Sequence, residues 1–142
     1  MVPRPDTAAV VLLEHELFVV FAEGRVVWCR VLMPAHVAPA TGAAAAKSGL
    51  GYLADNVLVR RSSWLGVIVD VRSAPSVVGP VTLQGLERTF VLAEEARKPL
   101  AALVGKAPTQ RDQFATLQRR APRFSLVTDT PAVAVDWMTR AG

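Results

Sequence analysis

The stretch Trp64–Val71, WLGVIVDV, decides the fold of this chain. It is a nearly continuous apolar run rich in β-branched residues, which is typical of a strand buried on both faces at the centre of a parallel sheet. Parallel strands need a long crossover connection, usually a helix. We therefore expect helices on both sides of this stretch.

The sequence after it alternates between helix and strand patterns. After a loop at Ser73–Pro80, Thr82–Lys98 has apolar residues three or four positions apart, which predicts an amphipathic helix with Thr82 as N-cap and Pro99 as its stop. A short apolar strand, Leu100–Val104, follows. Two further helices are predicted to begin at Thr109 and Thr130, on either side of a strand at Phe124–Val127.

The sequence before it begins with strands. Leu17–Ala22 and Val26–Met33 are separated by Glu23-Gly-Arg25, which predicts a β-hairpin, and Val10–Leu13 is a candidate edge strand. Ala35–Asn56 favours a helix. Glycines at three positions weaken it by about 1 kcal/mol each relative to alanine, so we expect it to be ragged or bent.

These elements predict one α/β domain over residues 1–142, with residues 1–9 as a possible disordered tail. A mostly parallel sheet with an N-terminal antiparallel hairpin is covered by helices. The hairpin at residues 15–33 is a candidate sheet edge, and edges invite pairing between copies, so a homodimer is one expectation.

Composition narrows the location and the partners. The single cysteine, Cys29, cannot form an internal disulfide, which fits a reducing compartment. No apolar stretch approaches the roughly 20 residues of a membrane span, so we expect a cytoplasmic protein without a membrane partner. The net charge is +4, but the basic pairs 60–61, 97–98 and 119–120 lie in separate segments among acidic residues. We interpret them as solvated helix faces, which disfavours nucleic-acid binding.

The arrangement resembles the SpoIIAA-like group within the STAS and Sec14-like superfamily, over roughly residues 15–142. The resemblance rests on a leading hairpin, a strand ending in Asp (VIVDVRS, 67–73), the strand PLAALVG (99–105), and a final VTD (127–129) followed by AVDWM (134–138). It implies a STAS-like sheet and a bacterial signalling or protein-binding role.

One departure limits what the resemblance implies. Anti-sigma antagonists of this type carry a D-S-S-G-like motif with a phosphorylated serine where the second helix begins. Here the corresponding stretch, Ser73-Ala-Pro-Ser76-Val-Val-Gly79, lacks the motif. The phosphoserine switch is therefore not carried over, and Ser76 and Thr82 are interpreted as loop and cap residues.

The sequence contains no recognisable motif for nucleophilic catalysis or for metal binding. Nucleophilic catalysis usually needs a histidine base, and neither His15 nor His36 lies in a recognisable motif with a serine. Cys29 falls in the middle of a strand and is interpreted as a core residue. Glu14-His-Glu16 is the only local cluster of ligand types, and strand geometry would point its members to opposite sides. We expect no metal, no cofactor and no enzymatic activity.

Polar side chains instead collect where the parallel strands end, at Asp70–Ser73, Gly105–Thr109 and Thr128–Thr130, a set that we call the carboxyl rim. The predicted helix N-termini at Thr82, Thr109 and Thr130, which favour anions, point toward the same rim. We predict a partner- or ligand-binding site there formed by Asp70, Arg72, Ser73, Ser76, Thr82, Lys106, Thr109, Thr128 and Asp129.

Three functions are weighed against this pattern. A non-enzymatic module that binds another protein at the carboxyl rim is the leading expectation. The alternative is a Sec14-like carrier of a small hydrophobic ligand, with the Ala/Gly-rich segment 40–51 as a mobile cover. A third hypothesis is an enzyme without a familiar motif, in which Asp70 or Asp129 acts as acid or base.

Overall fold

The computed structural model describes residues 9–32, 38–74 and 79–141. They form six strands and four helices. The strands are β1 (Val10–Glu14), β2 (Phe18–Glu23), β3 (Val26–Val31), β4 (Gly66–Asp70), β5 (Leu100–Leu103) and β6 (Ser125–Thr128). The helices are α1 (Pro39–Asn56), α2 (Pro80–Ala96), α3 (Pro108–Gln118) and α4 (Pro131–Ala141).

The strands form one sheet in which spatial order follows chain order, β1 to β6. The pairs β1–β2 and β2–β3 are antiparallel, whereas β3 to β6 are parallel throughout. The predicted α/β class, with a mostly parallel sheet and an N-terminal antiparallel hairpin, is confirmed. All five residues of β4 are buried, as its apolar run predicts.

The helices divide unequally between the two faces of the sheet. The larger core joins α1, α2 and α3 to one face, where Leu53, Phe90 and Phe114 are fully buried. The smaller core joins α4 to the other face, where Ala134 and Met138 pack against Ile68 and neighbouring strand residues. The connection after β5 therefore leaves the sheet on one face and the connection after β6 on the other.

The predicted hairpin is β2–β3, with Glu23 paired to Val26. Gly24 takes the first turn position with φ of 60°, a conformation that favours glycine. The expectation that this hairpin forms the sheet edge is wrong, because β1 pairs outside β2 and is itself the edge strand.

The expectation of a ragged first helix is also wrong, since α1 runs without interruption through its glycines. The reason is packing. A Cβ on Gly49 would lie 3.3 Å from the Phe18 ring, and a Cβ on Gly85 would lie 3.2 Å from Leu50. Glycine at these two positions lets α1 approach β2 and α2 closely, and the burial offsets the weak helix propensity.

Two predicted helix starts are corrected. The residue before α2 is Gly79, not Thr82, and the residue before α3 is Ala107, not Thr109; neither makes a side-chain cap. Proline lacks an N–H and has a fixed φ that suits the first helical position, so Pro80 and Pro108 start these helices earlier than the threonines. None of the described helices is long and apolar enough to cross a membrane.

Candidate functional site

The carboxyl ends of the parallel strands lie side by side. Asp70 of β4 is in register with Leu103 of β5, which is in register with Thr128 of β6. On the other side Asp70 is in register with Arg30 of β3. Partners in register on parallel strands project to the same face, so these four residues form one row at the end of the face that carries α4.

Asp70 is the centre of this row. Its side chain is only 4% exposed and accepts hydrogen bonds from the Nε and Nη2 of Arg72, at 2.9 and 2.8 Å, and from the Arg72 backbone N–H at 3.1 Å. The Nε of Arg30 donates to the same carboxylate at 3.3 Å. The side chains of Arg72 and Arg30 remain 38% and 41% exposed, so the buried carboxylate holds two cations at the surface.

The electrostatics of Asp70 follow from these contacts. Burial alone would raise the pKa of its carboxyl, because it disfavours the charged form, but the bonds from Arg72 and Arg30 outweigh burial and lower the pKa. The same pairing raises the pKa of Arg72. Asp70 is therefore an ionised structural anion at neutral pH, poorly suited to exchanging protons with a substrate.

Arg30 is held from a second side by aromatic rings. Its guanidinium carbon lies 5.0 Å from the centre of the Phe21 ring and 5.7 Å from that of Trp28, within cation–π range. Sequence reasoning missed Arg30. The signal was a lone charge in an otherwise apolar strand, but only the register of β3 and β4 identifies its partner.

A second cluster of polar contacts lies at the carboxyl ends of β5 and β6. There the chain after β5 leads to α3 on one face of the sheet, and the chain after β6 leads to α4 on the other. Arg111 of α3 spans this point: its Nη2 donates to Asp129 at 3.0 Å and its Nε donates to the Gly105 carbonyl at 3.0 Å. The Thr130 hydroxyl donates to Asp129 at 2.9 Å, and the Thr128 hydroxyl accepts from the Thr130 N–H at 3.3 Å. Bonds from Thr130, and then Arg111, lower the pKa of Asp129.

Gln110 ties the two clusters together and was not predicted. Its side chain is buried; Nε2 donates to the Val71 carbonyl at 3.1 Å, and Oε1 accepts the Gly105 N–H at 2.7 Å. Because it bridges the loops after β4 and β5, it fixes their separation.

The remaining predicted site residues are distributed unevenly. Ser73 and Lys106 are exposed in the loops after β4 and β5, and Thr109 is exposed in the first turn of α3. Thr82 lies inside the first turn of α2, half-buried. Ser76 lies outside the described residues.

Other chemistry-bearing side chains have structural partners. The Nδ1 of His15 accepts the Leu17 N–H at 3.0 Å, and its ring stacks on Phe18. Burial raises the pKa of the Cys29 thiol to about 12. His36 lies outside the described residues. Within the described ranges no three His, Cys, Asp or Glu side chains are grouped to hold a metal ion.

A groove of about 500 Å³ lies at the opposite end of the molecule, between the loop after α1 and the last turns of α2. It is open to solvent, with Leu58 and Leu92 in its lining. It shares no residue with the carboxyl rim.

The fold and this site define the class of the chain. It is an α/β domain with a six-stranded sheet whose spatial order follows chain order, and two arginines pair with one buried aspartate where β3 and β4 end. No family model, curated protein or solved structure matches the chain. The resemblance to STAS domains accordingly stays a prediction from the sequence.

Proposed function

We propose that this chain is a non-enzymatic regulatory or protein-interaction module that binds an acidic surface of another protein at its carboxyl rim. The observation that carries the proposal is the Asp70 cluster, in which one buried carboxylate fixes the guanidinium groups of Arg30 and Arg72 at the surface. The STAS-like order of elements supports the same function, and the lone Cys29 favours a cytoplasmic location.

The charges at the rim fit a partner that carries carboxylates. Arg30 and Arg72 share the single carboxylate of Asp70, and both side chains stay partly exposed. Arg111, beside the rim, pairs with Asp129, and the other carboxylates nearby are Glu14, in the row of Arg30 through Val19, and Asp112 of α3. Arginine is suited to bidentate recognition of carboxylates. Because Asp70 and two aromatic rings already restrain Arg30, it loses little side-chain freedom when it binds.

The contacts of the two aspartates argue against the enzyme hypothesis. A general acid or base works best with a pKa near the working pH. Asp70 and Asp129 are each engaged by arginine and have lowered pKa values, so neither carries a proton near neutral pH.

The carrier alternative has weaker support. It requires an enclosed apolar cavity and a cover that opens, whereas the groove at the other end is open. The segment proposed as a cover belongs to α1, whose Gly49 packs directly on Phe18.

The test is an affinity capture from cells that naturally contain the protein, with three baits. The first is the wild type. The second is Ser73→Glu/Lys106→Glu, which adds a negative charge at one exposed position of the rim and reverses a positive charge at another. The third, a matched control, is Lys47→Glu/Ser48→Glu, which makes the same two kinds of change on the exposed side of α1.

We expect one protein to be recovered with the wild type and the control and lost with the rim variant, and the purified partner to show the same order of affinities by calorimetry. Equal retention by all three baits would exclude the rim as the binding site. Release of a stoichiometric small hydrophobic molecule from the purified protein would favour the carrier alternative instead.

A further inference from the structure

The three basic pairs that are far apart in the sequence meet at one end of the fold. The helices α1, α2 and α3 all run back from the carboxyl ends of strands to the beginnings of the next parallel strands. The pairs at 60–61, 97–98 and 119–120 each follow one of these helices. Since β4, β5 and β6 begin side by side, the pairs lie at the same edge of the sheet, opposite the carboxyl rim.

Some of the cations at this end of the fold form hydrogen bonds and ion pairs that stabilise it. The Nζ of Lys98 donates to the carbonyls of Ser62 and Trp64, at 2.9 and 2.7 Å, and Arg25 donates to the carbonyl of Ser63 at 3.4 Å. Arg120 pairs with Glu87 on α2. These contacts explain the presence of some of the cations without any ligand.

Arg60 and Arg61 have no such role. They occupy the two central positions of a turn in which the Ser62 N–H donates to the Val59 carbonyl at 3.0 Å, and both are exposed. Neither makes an ion pair with a described residue. The Ser62 hydroxyl also donates to the Val57 carbonyl at 2.7 Å, so the turn is held firmly while its two like charges face solvent.

Arg97 is a third cation without a structural partner among the described residues. It ends α2 in the left-handed conformation, with φ 56° and ψ 41°, where glycine is the most stable residue. No other non-glycine residue in the described ranges has a positive φ. Its side chain is exposed and makes no ion pair with the described part of the chain, so the arginine contributes charge at a position where it costs stability.

An apolar groove lies beside Arg60 and Arg61, and Arg97 directly follows Ala96 of its lining in the chain. Leu58, Val59, Leu92 and Ala96 line it, and Arg60 and Arg61 lie on its border. It is a shallow depression of about 500 Å³ that is open to solvent, a shape that suits a segment lying on the surface better than an enclosed small molecule. Apolar lining bordered by unpaired cations fits a ligand with an apolar group flanked by negative charge.

We propose that this groove binds an acidic peptide segment, with an apolar side chain seated between Leu58 and Leu92 and carboxylates paired with Arg60, Arg61 and Arg97. A peptide fits better than a nucleic acid, because phosphates would not use the apolar lining and Glu95, which also borders the groove, would repel a dense row of them. The groove is a second site, independent of the partner proposed for the carboxyl rim.

The test measures fluorescence anisotropy of a labelled peptide made of four aspartate–glutamate–leucine repeats. Two further probes separate the contributions: the same peptide with serine in place of leucine, and a labelled thymidine dodecanucleotide. The variants are Arg60→Glu/Arg61→Glu, Arg97→Gly, and a charge-matched control, Lys47→Glu/Arg88→Glu, at exposed positions of α1 and α2.

We expect the leucine peptide to bind the wild type at least tenfold more tightly than the serine peptide or the oligonucleotide. The Arg60/Arg61 variant should weaken that binding at least tenfold and the control less than twofold. Arg97→Gly should weaken it while raising the melting temperature, a combination that loss of structure cannot produce. Equal binding of the serine peptide, tighter binding of the oligonucleotide, or an equal loss in the control variant would each overturn the proposal.

Discussion

At the residue scale, the rim depends on one carboxylate. Asp70 is buried where an unpaired charge would be costly, and Arg72 and Arg30 together donate four hydrogen bonds to it. The same bonds hold the arginines in place. Stability and the presentation of charge at the rim are therefore properties of the same contacts.

Asp70→Asn should lower the free energy of unfolding at pH 7 by about 1–3 kcal/mol, since it leaves two arginines without their counter-charge. Asp112→Asn, which removes an equal charge from an exposed position of α3, should change it by less than about 0.5 kcal/mol. Urea denaturation of both variants and the wild type measures the difference. Equal losses in the two variants would show that the Asp70 contacts contribute nothing.

The pH dependence of the Asp70 contribution has a definite sign. The folded pKa lies below the unfolded value of about 3.9, so the stabilisation is present above that pH and is lost as the pH falls through the folded pKa. The gap between wild type and Asp70→Asn should therefore be constant from pH 7 to about pH 5 and should narrow below about pH 4. A gap that widens in acid would contradict the lowered pKa.

Cys29 should behave as an inert core residue. Burial raises the pKa of its thiol to about 12, and only the thiolate reacts with disulfide reagents. In the native protein at pH 8, a chromogenic aromatic disulfide should therefore react no faster than the protein unfolds, and in urea it should react at once. Rapid stoichiometric reaction of the native protein would show that the strand around Cys29 opens locally.

At the element scale, sequence reasoning works where one physical effect dominates. The apolar runs of β3 and β4 predict strands buried on both faces, and the structure buries all of β4 and the first four residues of β3. The starts of α2 and α3 were missed because threonine capping was weighed without the prolines ahead of it. The continuity of α1 was missed because glycine propensity is local, whereas its compensation by Phe18 and α2 is tertiary.

Two glycines of α1 provide a matched test of that compensation. Alanine at Gly51, where an added Cβ has open space, should raise the free energy of unfolding by about 0.5–1 kcal/mol through helix propensity. Alanine at Gly49 should lie at least about 1 kcal/mol below Gly51→Ala, because the Phe18 ring must move to admit the methyl group. Thermal and urea unfolding compare the two. An equal gain at both positions would show that α1 does not need glycine to approach β2.

At the scale of the whole molecule, topology decides which charges meet. The carboxyl rim was predictable, since parallel strands place Asp70 and Thr128 at the same edge once the alternation of elements is read. The meeting of the three basic pairs at the opposite end of the sheet was not predictable, because residues 60, 97 and 119 are far apart along the chain. They lie together only because each crossover between the parallel strands β3 to β6 returns to the end of the sheet at which the next neighbouring strand begins.

The strands of the sheet should also differ in their resistance to local unfolding, with the central strands more resistant than the edge strand β1. β4 and β5 are hydrogen-bonded on both sides and entirely buried, whereas β1 pairs only with β2, has an irregular register between Val11 and Leu13, and exposes Val10 and Val11. In native-state hydrogen exchange, we expect amides of β4 and β5 to exchange only through global unfolding and those of β1 at least ~100-fold faster. Protection of β1 equal to that of β5, and increasing with protein concentration, would instead mean that the edge strand pairs with a second copy of the chain. Equal protection at every concentration would mean that the covering of this edge comes from within the chain.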